Sequence, residues 1–222
     1  MRFSDIHERA IARKGGVEAL NALLPELPPV AELEARTDDR YLSEITRCVF
    51  KAGFVWRVID NKWAGFEAAF HGFVPAYWQQ VPPDVLEALA SDERIVRNMQ
   101  KIRTVPENAR MIVDAAREYG SFGAFLRQWP SEDEAGLLLW LKRNGSRLGG
   151  NSAQYFLRHV GWDGFILSHD VVAGLRHADL LDASPTSKTG LLQAQAAFTG
   201  WHQETGLPYS HLSRILSCSV ES

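Results

Sequence analysis

Apolar residues recur every three to four positions along nearly the whole chain, and that spacing constrains the fold more than any single motif. Tyr41, Leu42, Ile45, Cys48 and Val49 share one helical face behind a cap at Thr37 or Asp38. Trp63, Phe66, Phe70 and Phe73 make an aromatic stripe of the same period. Asp84 follows a Pro-Pro pair and opens a helix with Val85, Leu86 and Leu89, and Ser91 is placed to cap another carrying Ile95, Val96, Met99 and Ile102. On that second helix Arg94, Arg97 and Lys101 share a solvated face. After Pro106 the apolar positions are Ala109, Ile112, Val113, Ala116 and Tyr119, ended by Gly120 as a left-handed terminator. Ser131-Glu132-Asp133-Glu134 reads as a capping box in which Ser131 and Glu134 exchange bonds with free amides ahead of residues 136–142. Further helices fit 171–181 and 190–204, and Ser210 is placed to cap a last one through Ile215 and Leu216. No period-two alternation is bounded by hairpin turns, so the spacing predicts an all-α protein.

With 222 residues, 45% of them apolar and 23% charged, the chain is long enough for one self-supporting core. We read it as a single domain over 1–222. A central helical lobe spans 37–145, a hairpin with the start of the next helix spans 146–172, and the terminal stretches 1–36 and 173–222 pack together across a cleft. The Pro-rich piece 24–29 sets off the amino-terminal arm. Two cysteines, Cys48 and Cys218, exclude a disulfide scaffold and a four-cysteine zinc module. No apolar run approaches the roughly 20 residues of a membrane span, and the first residues lack a secretory pattern, so a cytoplasmic monomer with no membrane partner is expected. A net charge of −3 argues against a polycation but leaves room for a local basic face.

Chemistry concentrates in 141–158. One helix ends near Asn144, a turn holds Leu148-Gly149-Gly150, and a second helix starts near Asn151 or Ser152. Glycines allow the tight turn and the close approach of a partner. The unpaired amides of the second helix, aided by its dipole, can grip a phosphate. Lys142, Arg143 and Arg147 beside the turn would add salt-dependent attraction to a nucleic-acid backbone, which makes this a helix-hairpin-helix pattern; an ordinary helical hairpin needing glycines for packing is the alternative. Downstream, Ser168-His169-Asp170 interrupts apolar residues. It reads as a helix cap, or as a carboxylate at the mouth of the cleft, but not as a hydrolase triad, because adjacent residues do not converge. Among the tryptophans, Trp56 is the one singled out to stack on a base rather than to fill the core.

These pieces together resemble the DNA-3-methyladenine glycosylase I family of the helix-hairpin-helix glycosylase superfamily. The resemblance runs from Thr37 to Val172 through Thr37-Asp-Asp-Arg-Tyr-Leu42, Ala52-Gly-Phe-Val-Trp56, Phe70-His-Gly-Phe-Val-Pro75, Ile95-Val-Arg97 with Lys101-Ile102 and Asn108-Ala109, Leu148-Gly-Gly-Asn-Ser-Ala153, and Ser168-His-Asp-Val-Val172. It implies base-excision repair: double-stranded DNA with alkylated bases as partner, a damaged base flipped out, and its bond to deoxyribose hydrolysed without a cofactor. Carried over, Trp56 matches a pocket aromatic, with Phe54 beside it. Gly149, Gly150 and Asn151 match the phosphate-gripping turn, which Ser152, Arg143 and Arg147 extend. Asp170 is the candidate electrostatic stabiliser of the sugar.

Two departures stand out. The family's base-reading glutamate corresponds to Cys48, and Glu44, one turn earlier on about the same face, is the candidate replacement acid. The family pattern also holds zinc at the chain ends through two cysteines and two histidines. Here no cysteine precedes Cys48 and the Val171-Val172 region offers none directly after it, so no metal is expected although His7, His169, His202 and His211 remain. The second hairpin helix carries no lysine for a Schiff base, which disfavours a lyase step. A non-catalytic helix-hairpin-helix protein that recognises damaged or distorted DNA is the alternative function.

Overall fold

The computed structural model describes residues 2–221, and among these there is no β-strand. The chain opens with α1 (Phe3–Lys14) and α2 (Val17–Asn21), and the Pro-rich link leads to the short α3 (Ala31–Ala35). A central run follows: α4 (Asp38–Lys51), α5 (Trp56–Asn61), α6 (Trp63–Ala69), a 3-10 turn at His71–Phe73, α7 (Pro75–Trp78) and α8 (Pro83–Leu89). Then come α9 (Met99–Ile102), α10 (Thr104–Tyr119), α11 (Phe122–Gln128) and α12 (Glu134–Asn144). The chain finishes with α13 (Asn151–Val160), α14 (His169–His177), α15 (Lys188–Thr205) and α16 (Tyr209–Cys218).

Helix α4 is the hub, for the reason its spacing predicts. Tyr41, Leu42, Ile45, Cys48 and Val49 are all buried, and the helix lies against α10, α11 and α13. Its amino-terminal half is locked by Arg40, whose guanidinium forks onto both Glu67 oxygens at 2.9 and 3.0 Å and reaches the Gly72 carbonyl at 2.9 Å. Burial pulls the Glu67 carboxyl upward, but the bonds from Arg40, Ser43 and Trp63 outweigh it and hold the group below its usual range. The aromatic stripe is core: Phe66, Phe70 and Phe73 are fully buried, and Trp63 stacks on Phe66 and Phe73 with centroids 4.9 and 5.6 Å apart.

The chain ends close on each other. Helix α1 lies against α15 and α16, and α14 against α16. Phe3 meets Trp201 at 5.5 Å, Arg13 pairs with Glu221 at 3.2 Å, and His211 bonds the Pro25 carbonyl at 2.9 Å. The short α3, grouped by sequence with the terminal helices, packs instead on α11, where Glu34 pairs with Arg127.

Several local expectations are corrected. Residues 91–98 form no helix, so Ser91 caps nothing there and Arg94 and Arg97 share no helical face with Lys101, which is buried. The cap of α12 is Asp133, whose carboxylate accepts the Gly136 amide at 3.0 Å; Ser131 bonds Glu132 instead, and Glu134 turns into the core. Ser210 lies inside α16 and is buried. The amides of Tyr209 and Ser210 are taken by Asp163, at 3.1 and 2.9 Å, a distant carboxylate that local spacing does not reveal. Thr37 precedes α4 without a side-chain cap, and Asp38 accepts the Phe122 amide at 2.9 Å.

Candidate nucleic-acid interface and base cavity

Helix α4 must end abruptly for the next segment to face the hairpin. Its last carbonyls are closed by a buried lysine: the Lys101 ammonium donates to Phe50 at 3.0 Å and to Ala52 at 2.5 Å. Burial, and then the Arg147 charge, lower the pKa of that ammonium. Gly53, at φ +72°, supplies the left-handed residue that reverses the chain, and Phe54, Val55 and Trp56 emerge exposed. Lys101 also lies 4.4 Å from the Phe54 ring centroid and Lys51 lies 5.2 Å from that of Trp56, so each ring has a cation over it.

On the other side, α12 ends at Asn144 and α13 starts at Asn151. Leu148 is buried and anchors the turn, while Gly149 and Asn151 are exposed and Gly150 and Ser152 are half-buried. Gly150 sits at φ +63° and ψ −144°, a conformation that favours glycine, and no side chain caps the helix it opens. The turn is clamped from below by Asn108, fully buried, which accepts the Ser146 amide at 2.7 Å and donates to the Ser146 carbonyl at 3.2 Å. Arg147 is exposed and bonds Gln100 at 2.8 Å. Arg143 lines a separate hollow with Glu107, Arg110 and Asp114, and Lys142 bonds the Thr186 carbonyl at 3.1 Å.

The two halves form a cavity of about 140 Å³ lined by Cys48, Lys51, Phe54, Trp56, Tyr155 and His159 and by Asn151 and Ser152 of the hairpin. Trp56 stands edge-on to Tyr155, centroids 4.9 Å apart at 89°. Thus Trp56, Phe54 and Cys48, separated by sequence reasoning from the hairpin, meet its first helical turn in one hollow. Glu44 does not line it. Its Oε1 lies 2.7 Å from His159 Nδ1 and 3.6 Å from Cys48 Sγ, so the acid reaches the cavity through the imidazole. Burial, and then the Glu44 charge, push the Cys48 thiol well above its ordinary range.

Asp170 falls outside the cavity. Ser168 caps α14 by accepting the Val171 amide at 3.3 Å, and Asp170 accepts a bond from Ser217 at 3.5 Å. Ser168, Val171 and Ser217 line a neighbouring hollow of about 220 Å³ that shares Tyr155 and His159 with the first, so these two residues form the ridge between them. Sequence reasoning missed Tyr155, His159, Lys51 and Lys101. The signal available for the first two was their spacing of four on α13, one turn beyond the glycine pair. The chain ends do not fit a zinc site. His202 is turned to the Leu207 carbonyl and His211 to Pro25, and among the described residues no set of three ligand atoms converges there.

Residues 34–136 match the sequence signature of the family described as methyladenine glycosylase. Among solved structures, a glutamate-to-glutamine mutant of 3-methyladenine DNA glycosylase I from Staphylococcus aureus is 21% identical, over 57% of this chain and 78% of that one, with a TM-score of 0.51. A tyrosine-to-phenylalanine mutant of 3-methyladenine DNA glycosylase I in complex with 3-methyladenine is also 21% identical, over 56% and 77%, with a TM-score of 0.51. The Methanocaldococcus jannaschii 8-oxoguanine glycosylase/lyase, solved with a 15-mer DNA containing 8-oxoguanine, is 18% identical over 95% of this chain and 94% of its own, with a TM-score of 0.54. The fold is that of the helix-hairpin-helix glycosylases, and the third likeness extends it over the terminal helices as well.

Proposed function

We propose that this chain, whose residues 34–136 match the methyladenine glycosylase family, is a monofunctional DNA N-glycosylase that removes alkylated purines such as 3-methyladenine from double-stranded DNA. One observation carries the reading: the first turn of α13 lines the ring-walled cavity through Asn151 and Ser152. A backbone held by the turn therefore places its extruded nucleotide at the mouth of the cavity. Extrusion is needed because the reacting atoms are shielded in the stack.

Within the cavity the base would lie against Trp56, with Phe54 and Tyr155 closing the sides. A 3-methylated adenine is cationic and a good leaving group, so aromatic faces attract it more than the neutral base. Cys48 adds no charge to the wall, and the negative complement comes from Glu44 acting through His159. As the glycosidic bond stretches, positive charge develops on the sugar, which the flanking phosphates and Asp170, the candidate carboxylate outside the cavity, would stabilise before water adds. Gly149, Gly150, Asn151 and Ser152 grip one phosphate, and Arg147 and Arg143 contribute longer-range attraction.

The placement of the acid favours one second reading, a protein that binds damaged DNA without excising the base. Glu44 stands behind an imidazole rather than in the wall, so its carboxylate is held away from the base. Incubation with methylated DNA and detection of free 3-methyladenine separates the two. Release supports the enzyme, and preferential binding of methylated DNA without release supports the binder.

A further inference from the structure

Among the described residues, one group of histidine, cysteine and acidic side chains brings three ligand atoms together: Glu44, Cys48 and His159. Glu44 and Cys48 are four apart on α4 and so share a face, and α13 packs on that face and delivers His159. Cys48 Sγ lies 3.6 Å from Glu44 Oε1 and 3.7 Å from His159 Nδ1, and the two latter atoms are 2.7 Å apart. Tetrahedral bonds of about 2.0–2.3 Å to nitrogen, oxygen and sulfur would set such atoms roughly 3.3–3.6 Å from one another. The sulfur distances of 3.6 and 3.7 Å lie at and just beyond the upper end of that range. The short oxygen–nitrogen contact is a hydrogen bond, which must open by about half an ångström when a metal ion replaces the shared proton.

We propose that Glu44, Cys48 and His159 form a three-ligand site for a divalent transition metal of the zinc class, with its remaining coordination position on the side of the base cavity. One thiolate, one imidazole and one carboxylate suit zinc better than the all-oxygen sites of magnesium or calcium. Three protein ligands with one open position are the pattern of sites that admit water or a ligand, in contrast to closed four-ligand structural sites. Cys48 and His159 line the cavity and Glu44 does not, so the open position faces inward, where a water or a purine nitrogen lone pair can reach it. Of the nearby cations, Lys51 pairs with Asp60 at 2.9 Å, while Arg47 pairs with Asp60 at 3.3 Å and also reaches Glu44, but at Oε2 and 3.8 Å, which leaves Oε1 to the metal. This site is separate from the chain-end zinc of the resembled family; binding takes the Cys48 proton and replaces the Glu44–His159 hydrogen bond, so a loaded site changes the cavity wall, while metal binding itself is read without base excision.

The test is a Co2+ titration of the full-length protein under reducing conditions, followed by absorption spectroscopy and then by Zn2+ competition. The expected result is one Co2+ per chain, a thiolate-to-cobalt charge-transfer band with intense visible bands of tetrahedral cobalt, and their loss on adding Zn2+. Cys48→Ser should abolish the charge-transfer band while Cys218→Ser keeps it. His159→Ala, at a residue exposed enough to be changed without unfolding the core, should weaken binding by more than about tenfold, whereas His169→Ala leaves it unchanged. Circular dichroism of each variant confirms that helix content is retained. Absence of the band in the wild type, its survival in a folded Cys48→Ser protein, or unaltered affinity in His159→Ala would overturn the site.

Discussion

Glu134 occupies a place where a hydrocarbon would ordinarily sit. It is 3% exposed, its Oε2 accepts the Phe165 amide at 2.8 Å, and its Oε1 has no hydrogen-bond partner. Burial pushes its carboxyl well above the usual carboxylate range, against the opposing pull of the Phe165 amide and the Arg158 charge. Because the folded pKa is raised, the folded protein binds the proton more tightly than the unfolded chain does. This contribution is fully present below the unfolded carboxylate value and is lost as pH rises through the folded one. Chemical denaturation across that range should therefore show stability falling with rising pH in the wild type and a flatter profile in Glu134→Gln, which keeps an acceptor for Phe165 without a charge. Glu134→Ala leaves that buried amide unpaired and should cost about 1–3 kcal/mol. An equal pH dependence in wild type and Glu134→Gln would show that another group sets the slope. Residues 131–134 also show why local spacing misleads: it assigns Glu134 to a capping box, but the partner that draws it inward, Phe165, is 31 residues away.

The hairpin is held as an element by Asn108 on α10, whose carboxamide bonds both backbone groups of Ser146. Asn108→Ala should loosen the turn and unpair buried groups, lowering stability by about 1–3 kcal/mol and weakening DNA affinity in parallel; unchanged affinity in a folded variant would detach the clamp from function. Helix α4, the glycine turn and the start of α13 were legible because periodicity and glycine placement are local signals. The non-helical stretch 91–98 was not, since its apolar residues keep a helical spacing that the packing does not use. The cavity was half legible. Trp56, Phe54 and Cys48 follow from one segment, but Tyr155 and His159 join them only because α13 crosses α4. Lys101, placed by spacing on a solvated face, instead closes the end of α4, a role set by carbonyls about fifty residues earlier in the chain.

At the scale of the whole molecule, a net charge of −3 means that attraction to DNA must come from one face rather than from the overall field. Arg147 and Arg143, with Lys142, are exposed cations beside the turn, so Arg143→Ala with Arg147→Ala should reduce the slope of log affinity against log salt by up to about 0.9 for each phosphate no longer neutralised. An unchanged slope would place the DNA elsewhere. The closing of the chain ends through α1, α15 and α16 leaves the hairpin and the 52–56 segment facing each other across the cavity, and the account depends on a nucleobase entering there. Base release from methylated DNA by wild type and by Trp56→Ala, measured under single-turnover conditions beside affinity for undamaged DNA, tests this most directly. Base stacking on an aromatic ring is worth about 1–3 kcal/mol, so the wild type should yield free 3-methyladenine and the variant should release it roughly 10–100-fold more slowly, with affinity nearly unchanged. No release by the wild type, or equal losses of release and affinity in Trp56→Ala, would contradict it.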